Sequence, residues 1–229
     1  MTNRMTDMWR NNPGRVAGVF YLLVLMLSIV GALRFMISTE EVLTDAIILM
    51  TRIGLVSDLI HLVFFLLLAW ALYVIFAPAN KNLALLVMLS ITVSVAIQAI
   101  NALNLFAALS LLSGTDQLVL FDADQVQALA MFFIELHMAA NHIVEVFWFL
   151  WVFTAGYLVY TTEILPKNLG ILLIIGGLGY LLIVLQFYLF ANEILYGIGA
   201  AAAGLAEISL MVWLLWKGTK KPEDQTTAE

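Results

Sequence analysis

Cysteine is absent from all 229 residues, which removes disulfides, thiolate metal sites and cysteine nucleophiles together. Charge is scarce as well. Only 11% of positions are Asp, Glu, Lys or Arg, against 63% hydrophobic ones, too little polar surface for a soluble domain of this size to face water. The alternating pattern of barrel strands is missing too, so the apolar sequence points to helices in lipid. The chain also lacks a glycine-rich phosphate loop, a G-x-S-x-G elbow, an H-E-x-x-H pair and an extended basic aromatic patch. Nucleotide hydrolysis, serine-hydrolase chemistry, the known zinc-hydrolase signature and nucleic-acid binding therefore have no motif in their favour.

What is present is a series of apolar runs long enough to cross a hydrocarbon core of about 30 Å at about 1.5 Å per residue. Six spans are predicted: Arg15 to Ile37, Ile53 to Ala77, Leu83 to Leu112, Ala139 to Tyr160, Gly170 to Phe190 and Gly197 to Trp216. The fold class is all-α, a polytopic bundle of six transmembrane helices. The run opened by Arg15 is too long for a signal peptide and lacks a small-x-small cleavage site, so it reads as a retained first helix. Residues 1–14 form a cytoplasmic tail, 15–217 the membrane domain and 218–229 a polar tail, containing Pro222, expected to be disordered. The fourth span has no Pro or Gly to stop it upstream, so Gln125 to Met138 is expected to project as helix beyond the membrane. Ser38 to Met50 reads as an amphipathic surface segment.

The position of charge sets the orientation. Eight of the ten basic residues (Arg4, Arg10, Arg15, Lys81, Lys167, Lys217, Lys220 and Lys221) fall on one side of a six-span layout, which the positive-inside rule makes the cytoplasm. The opposite connections hold Glu40, Glu41, Asp45, Asp116, Asp122, Asp124 and Glu193, with Arg34 and Arg52 alone as basic residues at span ends. Both termini are thus expected in the cytoplasm.

Ionisable side chains inside spans are costly in lipid, at roughly 2.5–3.5 kcal/mol or more each, and so mark candidate sites. Asp58, His61, His142, Glu145 and Glu207 fall there. Asn101 and Asn104 reach the same outer level from the third span, with Gln98 one turn deeper. Asp58 with His61, and His142 with Glu145, are i,i+3 pairs that share a helical face. Glu135, seven residues before His142, is expected on its side of the helix; His137 is turned away by about 140°. Three readings stay open for this cluster. It is a structural network with Arg34 and Arg52 as counter-ions; or it handles protons, ions or a small molecule, with Glu207 the foremost proton carrier; or Asp58, His61, His142 and Glu145 hold a transition metal such as zinc for an intramembrane hydrolase. No cofactor is predicted outside that last reading. The partners expected are the lipid bilayer and a small-molecule or proton ligand, not nucleic acid, and a homo-oligomer or membrane partner is left open. The glycines at 176, 177 and 179, with Gly199, Ala200, Ala203 and Gly204, would let the last two helices approach closely.

Several stretches, in this order, resemble the bacterial membrane family catalogued as domain-of-unknown-function family 4386: RIGLVSDLIHLVFFLLLAWALYVIF followed by APANKNLALL, then ELH at Glu135 to His137, GYLVYTTEILPKNLGILLIIGGLGYLL, and AEISLMVWLLWKG. The resemblance implies a six-helix protein of the bacterial cytoplasmic membrane and supplies no reaction. It draws attention to Arg52, Asp58, His137 and Glu207; His61 and His142 lie outside its pattern.

Overall fold

The computed structural model describes residues 12–37, 45–113, 121–162 and 164–219. Within them the backbone forms six long helices: α1 (Pro13–Ile37), α2 (Asp45–Phe76), α3 (Lys81–Leu112), α4 (Ala123–Thr161), α5 (Lys167–Leu185) and α6 (Glu193–Trp216). Each contains a stretch long and apolar enough to cross a membrane. Helix is what lipid demands of such sequence, because every backbone N–H and C=O must find its partner within the segment.

At the starts of α3, α4 and α6, polar side chains satisfy the first N–H groups. Asn80 accepts from the backbone of Asn82 and Leu83, both at 3.1 Å, to open α3. Asn192 does the same for Ile194 and Leu195, at 2.9 and 3.1 Å, to open α6. Asp122 and Gln125 form a reciprocal capping box, at 2.8 and 3.2 Å, that starts α4. With its start fixed there, α4 runs unbroken for 39 residues, about 58 Å, well beyond the hydrocarbon core. The projecting segment expected from Gln125 to Met138 is therefore continuous with the fourth span. The amphipathic segment expected over Ser38 to Met50 is corrected in part: from Asp45 onwards it is already α2, and residues 38–44 lie outside the described residues. Most of the N-terminal tail and residues 220–229 of the polar tail also lie outside them.

Helix α5 does not end abruptly. Gln186–Phe190 continue it as one π-helical turn, closed by a hydrogen bond from Ala191 N to Gln186 O at 2.6 Å. Ala191 then takes a left-handed conformation at φ 47°, an uncommon conformation for a residue with a side chain, and the chain reverses into α6.

Each helix packs against the next, and α1 packs against α6 to close the ring. Arg15 ties that seam by donating to the Trp216 carbonyl at 3.1 Å, and Asn12 accepts from Thr219 N at 3.3 Å. Arg15, Lys81, Lys167 and Lys217 all stand at this end of the bundle, called the basic end below. The apolar core occupies that half of the ring: Phe76, Leu72 and Leu68 of α2 meet Val87 and Ile91 of α3, Leu158 of α4, Leu173 of α5 and Leu214 of α6. Its centre is Trp151, almost fully buried, edge-on to Tyr21 of α1 at 6.2 Å and to Phe65 of α2 at 6.5 Å. Large apolar side chains such as Ile100, Leu103, Phe106, Leu205 and Ile208 stand on the outer surface, where a soluble protein would carry charge and a membrane protein meets acyl chains.

Candidate functional site

Above Trp151 the packing opens. The half of the bundle away from the basic end holds a cavity of about 600 Å³ to which five of the six helices and the π-helical turn after α5 contribute. It is lined by Ser28 and Gly31 of α1, Asp58 and His61 of α2, Gln98 and Asn101 of α3, Gln186 and Phe187 of the π-helical turn, and Tyr196 of α6. The largest share comes from α4, whose residues 137, 138, 141, 142, 145 and 148 form one stripe at three- and four-residue spacing.

Two of the three histidines, His61 and His137, are oriented by backbone carbonyls. His61 Nδ1 lies 3.1 Å from the Val24 carbonyl oxygen and 3.1 Å from Ser28 Oγ, while Ser28 Oγ itself donates to Val24 at 2.9 Å. A carbonyl only accepts, so Nδ1 carries the proton and donates it. The opposite ring nitrogen, Nε2, is then an acceptor, and it is buried with no partner. His137 Nδ1 donates to the Asn101 carbonyl at 3.2 Å, and the Asn101 amide returns a bond to the His137 carbonyl at 3.0 Å. Asn104 donates to Asn101 Oδ1 at 2.9 Å, which completes a lock between α3 and α4. His142 pairs with Glu145 at 2.7 Å and stacks on Phe187, ring centres 3.7 Å apart. The π-helical turn is what presents Phe187 there.

One layer deeper, Tyr180 of α5 donates to Glu207 of α6 at 2.5 Å. The Tyr21 hydroxyl of α1 approaches the same carboxylate. Trp148, on the cavity wall, stands edge-on to Tyr180 at 5.4 Å, so the carboxylate of Glu207 sits behind the cavity and connects to it through a tyrosine.

These positions correct the sequence reading in two respects. Glu135 is exposed and does not line the cavity, whereas His137 is buried and does. The lining stripe of α4 is wide enough to hold His137 on one edge and His142 on the other, despite the 140° between them. Glu135 does share the angular position of His142, but it stands about 10 Å farther along the axis, where no neighbour covers it. The second correction concerns the proposed metal ligands. Asp58, His61, His142 and Glu145 all line the cavity, yet among the described residues no three His, Asp or Glu side chains gather closely enough to hold an ion. His142 and Glu145 satisfy each other, and His61 is aimed by α1.

Of the two arginines read as counter-ions, Arg52 reaches Ser113 of α3 at 3.3 Å from an exposed position, and the side chain of Arg34 lies outside the described residues. Sequence reasoning missed Trp148, Asn141, Gln186, Phe187 and Tyr180 as site residues. Gln186 and Asn141 carried a signal, being amides within apolar spans. The aromatic residues carried none, because tryptophan, phenylalanine and tyrosine are ordinary in membrane helices.

A family model described as a domain of unknown function, DUF4386, matches residues 16–218, from the first helix to the end of the sixth. The chain belongs to this family. The DUF4386 match thus takes in all six helices, but for the first three residues of α1, and the entire cavity lining, which makes the cavity a feature of the family's domain in this chain and not of an appended segment. No curated protein and no solved structure matches the chain.

Proposed function

We propose that this DUF4386 protein is a ligand-binding or transport module of the bacterial cytoplasmic membrane, with both termini in the cytoplasm and the cavity open to the outer face. The orientation rests on the basic end: lysine and arginine near span ends are retained in the cytoplasm, which leaves the cavity on the other side. The observation that carries the binding reading is a set of buried polar atoms. His61 Nε2, Gln98 Nε2 and Trp148 Nε1 are all buried without a partner, and all three residues line the same cavity. An unsatisfied buried polar group costs about 1–3 kcal/mol, and here three residues that carry one converge on a space large enough for a small molecule. A ligand that bonds to them recovers that free energy.

Metal-dependent intramembrane hydrolysis receives no comparable support, since the donors are divided: His142 is paired with Glu145, and His61 is held apart by the Val24 carbonyl.

Filling the cavity tests the proposal. Ala102 lines it from α3, and Ala102→Trp should occupy much of its volume. In a thermal-shift screen of small polar compounds on detergent-purified protein, compounds that raise the melting temperature of the wild type are expected to lose that effect in Ala102→Trp. A ligand at 100 times its dissociation constant adds about 2.7 kcal/mol, a shift of several degrees. Stabilisers that act equally on both proteins would contradict binding in the cavity.

A further inference from the structure

The basic end carries a recess of its own. A groove of about 580 Å³ lies between the start of α5 and the end of α6, bordered by Leu165, Pro166, Lys167, Trp213 and Lys217. Trp213 and Lys217 also border a second groove, of about 430 Å³, which continues along α6 past Val212, Ser209 and Ile208. We propose that the two grooves together bind one anionic phospholipid from the leaflet at the basic end, its headgroup phosphate between Lys167 and Lys217 and an acyl chain along α6, at a site independent of whatever the cavity binds. The lysines decide the headgroup. Both line the first groove, neither makes an ion pair among the described residues, and no Asp or Glu stands among the described lining. An ammonium group has three N–H donors and no acceptor, so an oxygen anion such as a phosphodiester completes it. A headgroup with its own amine, such as ethanolamine, would bring a third cation to the pair, whereas glycerol brings none. Depth decides that the phosphate belongs to a lipid. Ile208 stands nine residues before Lys217, about 13 Å along the helix, so the second groove leads from the level of the ammonium groups into the hydrocarbon. Below Lys217 and the two indoles its one polar side chain is Ser209, whose hydroxyl already donates to the Leu205 carbonyl at 2.7 Å. Val212 and Ile208 are exposed there, ready to meet an acyl chain that a free phosphate would not supply. Trp213, shared by both grooves, stands at the level where indoles collect at a membrane surface.

Native mass spectrometry of the detergent-purified full chain reads the preference. The protein is mixed with equal amounts of dioleoyl phosphatidylglycerol and dioleoyl phosphatidylethanolamine, which differ only in headgroup. Wild type should carry the glycerol lipid over the ethanolamine lipid by about fivefold or more, the attraction of one lysine for an anionic lipid, and Lys167→Gln with Lys217→Gln should bring the ratio below about twofold. Lys81→Gln removes a lysine of the basic end that lines neither groove, and it should leave the ratio unchanged. All three lysines are exposed, so glutamine in their place leaves the packing intact. Ser209→Trp fills the apolar groove and should lower the loading of both lipids, whereas excess glycerol phosphate should displace neither. Equal loading of the two lipids on wild type would overturn the anionic site. A ratio that falls as far in Lys81→Gln as in the double variant would do the same, by making the preference a property of general surface charge. Displacement by glycerol phosphate would overturn the lipid in favour of a phosphate site, and unchanged loading in Ser209→Trp would overturn the acyl chain placed along α6.

Discussion

Gly179→Leu is expected to lower the melting temperature by about 6–12 °C, while Gly204→Ala leaves it within about 2 °C. A side-chain carbon added at Gly179 would stand 2.6 Å from the Gly199 carbonyl oxygen, and one added at Gly199 would stand 2.6 Å from the Gly179 carbonyl oxygen. The two helices therefore touch backbone to backbone, and neither side can yield by rotating a side chain. Overpacking of this kind costs about 3 kcal/mol at the upper end of its usual range, and each kcal/mol is worth about 2–4 °C in a chain of this size. Gly204 looks equivalent in sequence, one residue past Ala203 and five past Gly199, yet nothing lies within 4 Å of where its side chain would begin. Thermal melting of the two variants in one detergent reads the contrast. Equal melting temperatures would mean that α5 and α6 do not meet at Gly179 and Gly199.

Trp151→Ala should destabilise the bundle by about 3–5 kcal/mol, the range for deleting a large aromatic side chain from a packed core. The indole lies in the apolar core, three residues beyond Trp148 of the cavity lining, and it joins α4 to α1 and α2 through Tyr21 and Phe65. Its N–H has no acceptor, so the ring is held by shape and contact and not by a hydrogen bond. Trp151→Phe keeps an aromatic ring and removes the unpaired donor, and its cost should stay below about 1.5 kcal/mol. Denaturation monitored by melting separates the two. If Phe were as costly as Ala, the indole N–H would be bonded in the membrane, against the unpaired donor seen here.

Much of this architecture is legible in the sequence because lipid leaves few options. A run such as Leu83 to Leu112 has to be helix, and its length alone marks it as a span. The polar residues of the cavity stand out in the sequence for a related reason: Asp58, His61 and Glu145 are expensive in lipid unless something surrounds them. Angular position on a helix is also readable, but what stands opposite is not. Glu135 and His142 share one side of α4, and only the end of α5, with its π-helical turn, decides that His142 is covered and Glu135 is not. The bond between Tyr180 and Glu207 depends in the same way on two helices meeting at glycines, and nothing within 27 positions of sequence announces it. Gly204 fails for the same reason. Periodicity places it near the seam, and the crossing of the helices carries it clear.

Side-specific labelling in intact cells tests most directly the proposal that the cavity faces outward from a six-span bundle whose basic end is cytoplasmic. Asn141→Cys reports on the cavity and Ala79→Cys on the turn between α2 and α3 at the basic end. With a membrane-impermeant cationic thiol reagent added outside, Asn141→Cys should label without permeabilisation and Ala79→Cys only after it. Labelling of Ala79→Cys in intact cells, with Asn141→Cys protected, would reverse the orientation and contradict the claim.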